Sequence, residues 1–157
     1  MHPCLRSTCL VSIFLATAVV ARPQRTGWTS FGVTESTPYL SFYEGNRPSL
    51  TLDCNGTRTN VQLRGFTTAQ AWPQPTMNIS FGMVIRSSRP SLTMVGDLTA
   101  YSIDFPTSRH VLISLEAGEI ITASYQRQVR TYPAIPELLR KRFVMNCAGL
   151  LPQGWAG

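Results

Sequence analysis

A mainly β fold, an antiparallel β-sandwich or half-open barrel with two short helices of which the second is C-terminal, is what three observations predict. Apolar and polar residues alternate with a period of two over most of the chain, as a half-buried strand requires. The dipeptides Asn55-Gly56 and Gly96-Asp97 suit two-residue hairpin turns. The period changes to helical spacing in two places, each entered through a proline, Pro106 and Pro136.

The first two dozen residues predict export. Met1 to Thr8 carries Arg6 and no acid, and Cys9 to Val20 is an almost unbroken apolar run that ends in the small pair Val19 and Ala21. This pattern reads as a signal peptide over residues 1–21, with a second possible cut after Ala18. The run is too short to span a bilayer. Cys4 and Cys9 lie on the wrong side of it for a lipid anchor. Cleavage after residue 21 of 157 leaves about 136, enough for a single β-rich domain over 22–149 with a flexible tail at 150–157.

Within the body, Trp28 to Val33 and Tyr39 to Tyr43 read as early strands. Folding at Asn55-Gly56 sets Cys54 opposite Thr57, Asp53 opposite Arg58, Leu52 opposite Thr59 and Leu50 opposite Val61. Leu50, Leu52, Cys54, Val61 and Leu63 then share one face, and Asp53 with Arg58 forms a cross-strand ion pair on the other. Trp72-Pro73-Gln74-Pro75 and Ser87 to Ser91 read as loops, and Ile79, Phe81, Met83 and Ile85 alternate along one unbroken strand between them. The hairpin at Gly96-Asp97 sets Leu92 against Tyr101 and Met94 against Thr99. Ser108 then caps a helix with Val111, Leu112 and Leu115 on one side and Gly118 at its end. Glu119 to Gln126 reads as a strand, with Ile121, Ala123 and Tyr125 on one face. Pro136 suits a first helical position, after which Leu139, Phe143 and Cys147 form a stripe and Glu137 with Lys141 an i,i+4 pair.

Loss of the leader leaves Cys54, Cys147 and His110 as the only residues of their types. In an oxidising compartment the two cysteines are expected to form a disulfide, Cys54 facing inward at a strand end and Cys147 on the buried side of the last helix.

Few arrangements for chemistry are open to this composition. One histidine excludes the usual two-histidine metal sites, and the cysteines are too far apart in sequence for a finger. A Ser-His-Asp set would have to recruit His110, with Asp104 and Ser108 or Ser114, and no Gly-x-Ser-x-Gly elbow accompanies it. The acids stand singly except Glu116 with Glu119 across Gly118, and no phosphate-binding or dinucleotide glycine motif occurs. The chain is thus expected to be no enzyme, to hold no cofactor and no metal, and, lacking a run of cations interleaved with aromatics, to bind no nucleic acid. Asn55-Gly-Thr57 and Asn78-Ile-Ser80 match the glycosylation sequon.

What remains is binding. Trp28, Trp72 and Trp155 are aromatics near predicted loops or ends, and Trp72 with the basic run Arg140, Lys141 and Arg142 forms the candidate binding surface. Fourteen basic residues less Arg6, against eight acidic, leave a mature charge of +5, which favours anionic partners. Thirteen of the fourteen are arginine, read here as a bias of GC-rich coding with no arginine fork assigned.

The pattern of Leu50-Thr-Leu-Asp-Cys54, then Phe105-Pro, Val111-Leu-Ile-Ser-Leu115-Glu-Ala-Gly118 and a closing helix into Cys147 resembles small periplasmic β-rich proteins of alphaproteobacteria, some related to the invasion-associated locus B group. The resemblance covers about Leu50 to Cys147. It implies a disulfide-bonded periplasmic sandwich and no enzymatic residues. The expected function is that of an exported, periplasmic or secreted, non-enzymatic binding protein whose partner is an envelope protein or an anionic envelope component. The alternative is a periplasmic inhibitor of a hydrolase, a lysozyme or a protease. Leu52-Asp-Cys54-Asn-Gly56 is similar to lysozyme-inhibitor barrels, although a cationic lysozyme would repel a +5 partner.

Overall fold

The computed structural model describes residues 26–30, 38–67, 73–95 and 98–151. Residues 1–21, expected to be a signal peptide, and Trp72, Trp155, the turn pair Gly96-Asp97 and the residues beyond 151 lie outside the described residues.

Among the described residues ten strands and two helices follow one another: β1 Thr26–Ser30, β2 Tyr39–Glu44, β3 Arg47–Asn55, β4 Arg58–Arg64, β5 Met77–Phe81, β6 Val84–Ser88, β7 Ser91–Val95, β8 Leu98–Pro106, α1 Arg109–Ala117, β9 Ile121–Tyr125, β10 Gln128–Tyr132 and α2 Glu137–Gly149. They form two antiparallel sheets, one of six strands in the order β1-β2-β3-β4-β8-β7 and one of four in the order β10-β9-β5-β6. The predicted β-sandwich class with two helices holds. Alternation puts Leu50, Leu52, Val61, Leu63 and Ile103 on the inner face of the large sheet and Ile79, Phe81, Ile121, Ala123 and Tyr125 on that of the small one, all buried. Aromatic pairs join the two layers: Tyr101 to Tyr125 at 4.8 Å, Phe81 to Phe105 at 6.1 Å, and Phe66 against both tyrosines.

The first hairpin keeps the predicted faces but not the predicted register. Leu50 stands opposite Leu63, Leu52 opposite Val61 and Cys54 opposite Thr59, two residues along from the expectation. The turn residues are Gly56 and Thr57, with Gly56 at φ 58 and Asn55 closing the ladder against Arg58. A shift of two preserves the pleat, so the core set is unchanged while the cross-strand neighbours are not. Asp53 therefore faces Asn60, and Arg58 pairs with Asp104 on β8 instead.

The unbroken strand expected over 78–85 is two strands. Gly82, at φ 58, reverses the chain, and β5 pairs with β6 from Phe81↔Val84 to Met77↔Ser88. Met83, expected in the core, sits in the turn at 96% exposure, and Ile85 falls on the outer face. The two-residue turn flips the parity, so Val84 joins Phe81 on the inner face and Ile85 turns outward with Ser80, although the apolar alternation runs on through the turn. A second reversal, at Gln126 with φ 54, adds β10, a strand beyond those the alternation predicts.

Other expectations hold. Leu92 stands opposite Tyr101 and Met94 opposite Thr99. The Ser108 side chain accepts from the Val111 N–H, Gly118 ends α1 in the left-handed region, and Val111, Leu112 and Leu115 are buried. Pro136 stands one residue before α2 rather than at its first position. Phe143 and Cys147 are buried and Leu139 partly so. Lys141 Nζ lies 2.6 Å from Glu137.

Candidate functional site

The two ends of the sandwich are built differently. At one, β3 delivers Cys54 and α2 delivers Cys147 to disulfide distance, 2.04 Å between sulfurs and 5.7 Å between Cα atoms, and α1 packs on α2. At the other, the β2–β3 turn, the end of β4 and the start of β8 meet edge strand β10 of the small sheet around a cleft of about 210 Å³. Its walls carry Glu44 and three arginines from three strands, Arg47, Arg64 and Arg130.

Local turn chemistry produces this convergence. Arg47 opens β3 directly after the turn and stands opposite Glu44 in the ladder. Arg64 closes β4 before Gly65, which takes φ 86. Arg130 lies on the inner-face row of the small sheet opposite Ala123, and because β10 is an edge its long side chain reaches over the rim to the large sheet. There its Nη2 pairs with Glu44 Oε2 at 2.5 Å and its Nη1 donates to Gly65 O at 3.2 Å. A Cβ on Gly65 would stand 2.1 Å from that Nη1, so the guanidinium occupies space that only glycine leaves open. Arg64 donates from Nη1 to Pro48 O at 2.9 Å, while its Nε is buried without a hydrogen-bond partner. Three guanidinium groups thus line one cleft with a single carboxylate, Glu44, which Arg130 contacts, and the buried Arg64 Nε keeps an unspent donor there. Tyr132, below Arg130 on the same strand, donates to Ser49 O, and burial pushes its hydroxyl up to about 12 against the lowering pull of Arg130. It is a neutral donor at physiological pH.

Of the sequence-predicted surface, Trp72 lies outside the described residues, and the three cations have different surroundings. Arg140 is spent on backbone carbonyls, Nε to Glu116 O at 2.8 Å and Nη1 to Ile135 O at 3.2 Å, tying the end of α1 to the approach to α2. Lys141 is held by Glu137, whose carboxyl it keeps below the usual range by hydrogen bond and charge, with Arg140 adding to the effect. Arg142 is exposed beside a small groove formed by Leu139, Phe143 and Pro38. Trp28 packs partly buried against Phe42, ring centroids 5.4 Å apart, and donates to Pro133 O at 2.9 Å, so it closes the sandwich edge.

His110 is exposed in the first turn of α1. Of the residues named with it, Ser108 caps the helix and accepts from Arg86 at 2.5 Å, and Asp104 accepts from Arg58. Asn55 and Asn78 of the two sequons are both exposed. Among the described residues no three His, Cys, Asp or Glu side chains gather as a metal site, and no helix is long and apolar enough to cross a membrane.

No family model, no curated protein and no solved structure matches the chain. The likeness to the invasion-associated locus B group rests on the residue pattern alone. The arginine cleft was missed because its members are 17 and 66 residues apart in sequence, Arg47 to Arg64 and Arg64 to Arg130. The available signal was local: Arg47 follows Gly45-Asn46 and Arg64 precedes Gly65, so each cation stands at a strand end beside a turn.

Proposed function

We propose that this chain is an exported, non-enzymatic binding protein of the periplasm or cell exterior, and that its ligand presents an anionic group, a phosphate or carboxylate of an envelope component, to the arginine cleft. The observation that carries this reading is that Arg47, Arg64 and Arg130, from three strands, line one cleft of about 210 Å³ in which Glu44 is the single carboxylate. Planar guanidinium forks match phosphate and carboxylate oxygens two at a time. The chain's surplus of cations adds long-range attraction toward an anionic surface. Arg130, already in contact with Glu44 Oε2, can exchange that carboxylate for a ligand oxygen without giving up its bond to Gly65 O.

Co-sedimentation of the purified chain with phosphatidylglycerol vesicles, against phosphatidylcholine vesicles, tests the reading. Retention should be selective for the anionic lipid, should weaken as salt shortens the Debye length below about 8 Å, and should fall in an Arg47→Ala, Arg130→Ala double variant. Equal retention on both lipids, or a double variant that sediments like the parent, contradicts it.

A further inference from the structure

The arginine cleft contains its own anion. A second depression, lined by Gln128, Val129 and Thr131 of edge strand β10, shares Glu44, Gly65 and Arg130 with the cleft. The contact of Arg130 Nη2 with Glu44 Oε2 at 2.5 Å therefore stands as a bar between the two. Both side chains of the pair are partly exposed, Arg130 at 29% and Glu44 at 47%, so a dissolved ion reaches the contact from solvent. The two partners are held differently. Arg130 also donates from Nη1 to Gly65 O at 3.2 Å, over a glycine whose missing Cβ leaves the guanidinium its place. Glu44 ends β2 beside the turn at Gly45, and meets Arg130 through a carboxylate that rotates on its own side chain.

The charges around Glu44 come from three strands. Arg47 of β3 stands opposite it in the ladder, hence on the same face, and Arg64 of β4 and Arg130 of β10 line the same cleft. On its other side β1 sets the uncharged Thr26 opposite it. Tyr132 of β10 feels its charge, which is among the causes that hold that hydroxyl up at about 12. Arginine keeps its proton throughout, and Tyr132 stays neutral well beyond physiological pH. A carboxylate is therefore the only kind of group lining the cleft whose charge is lost as the medium turns acid. An ionised Glu44 neutralises one guanidinium and repels an arriving anion. A protonated Glu44 does neither.

We propose that Glu44 is a tethered competitor for the ligand of the arginine cleft, an autoinhibitory contact that protonation releases, so that the cleft takes anions weakly at neutral pH and more strongly in acid. This rests on the anion reading and adds the regulation of that site. An arriving anion replaces Glu44 Oε2 on Arg130 Nη2 while the bond to Gly65 O stays in place, and the displaced carboxylate turns to water. Exchange of one anion for another on the same guanidinium is close to balanced, so the charge of the competitor decides the outcome. With the bar open, the cleft and the depression along β10 join into one groove.

Sulfate is the probe, because it stays a dianion from neutral into acid solution where phosphate takes up a proton. Its affinity for the parent, Glu44→Gln and Glu137→Gln chains is read from 15N amide shifts at constant ionic strength, at about pH 7 and at about pH 3, with folding checked by the dispersion of the same spectra. Glu137→Gln removes an equal charge from an exposed pair on α2 and controls for net charge. At neutral pH Glu44→Gln should bind sulfate about three- to fivefold more tightly than the parent, with shifts at Gly65 and Arg130, and Glu137→Gln should bind as the parent does. In acid the parent should gain affinity until it matches Glu44→Gln. A Glu44→Gln chain no tighter than the parent at neutral pH, an advantage that persists undiminished in acid, or an equal gain in Glu137→Gln overturns the autoinhibitory contact and leaves the anion reading standing. Absence of saturable sulfate binding by parent and Glu44→Gln alike at both pH values overturns the anion reading and this proposal with it.

Discussion

The disulfide end and the arginine end of the sandwich solve the same local problem with opposite results. Each lays a guanidinium against a glycine in the left-handed region, Arg140 on Gly118 and Arg130 on Gly65. Arg140 spends its donors on two main-chain carbonyls and joins two helices whose buried sides carry Leu115, Phe143 and Cys147. Arg130 instead meets one carbonyl and a solvent-accessible carboxylate, with two further arginines lining the same cleft. The first arrangement holds its arginine on fixed main-chain acceptors, and the second on a side-chain carboxylate that can move aside. What an arginine does is therefore decided by which acceptors surround it, main chain or mobile carboxylate, and a run of cations in sequence says little about that.

The largest expected effect breaks the disulfide end. Replacing Cys54 and Cys147 by serine frees a loop of 93 residues and should lower the unfolding free energy by about 4 to 5 kcal/mol in a urea titration. A loss below about 1 kcal/mol would mean that helix packing alone holds that end. Next come the two glycines. Gly65→Ala and Gly118→Ala should each cost about 1 to 2 kcal/mol, because both force a Cβ into the left-handed region. The new Cβ also displaces a guanidinium in each case. Only Gly65→Ala should weaken retention on anionic vesicles, and equal weakening by both would erase the distinction between the ends. Smaller still, Arg140→Ala should cost about 1 kcal/mol by leaving two carbonyls unmatched. Arg130→Ala, which removes an exposed ion pair, should cost less in stability and more in binding.

A pH effect sharpens the picture of the sheet between the two ends. Burial and Asp104 raise the Asp53 carboxyl above its ordinary value in the folded chain. The folded state thus holds that proton more tightly than the unfolded state does, and the group costs stability once ionised. The cost is absent below the unfolded pKa, grows as pH rises through it, and is complete above the folded pKa. Asp53→Asn should then stabilise the chain at neutral pH and show no gain in strong acid. Tm measured from acid to neutral pH checks the sign, and a variant destabilised at neutral pH would contradict it.

Much of the disulfide end was legible in the sequence because its signals are local. Ser108 and Gly118 bracket α1 by capping chemistry, and the stripe through Phe143 to Cys147 carries the period of a helix. The core sets of β3 and β4 survived even a two-residue register error, since alternation fixes the face and leaves the partner open. The hairpin at Gly82 was hidden because Met83 and Ile85 continue the apolar alternation through the turn, where they meet solvent. The arginine end was legible only as two cations beside turns, Arg47 after Gly45-Asn46 and Arg64 before Gly65. Its geometry depends on β10, whose Gln128-Val-Arg-Thr-Tyr132 was not recognised as a strand, and on an edge position that only the completed sheet order assigns to Arg130.

The claim that the arginine end is where an anion binds is tested most directly by titrating inorganic phosphate into the 15N-labelled chain and following backbone amide shifts. Saturable shifts should concentrate at Gly65, Arg47 and Arg130 and vanish in the Arg47→Ala, Arg130→Ala variant. Shifts spread evenly over the surface, or concentrated at Arg140 to Arg142 on α2, would contradict it.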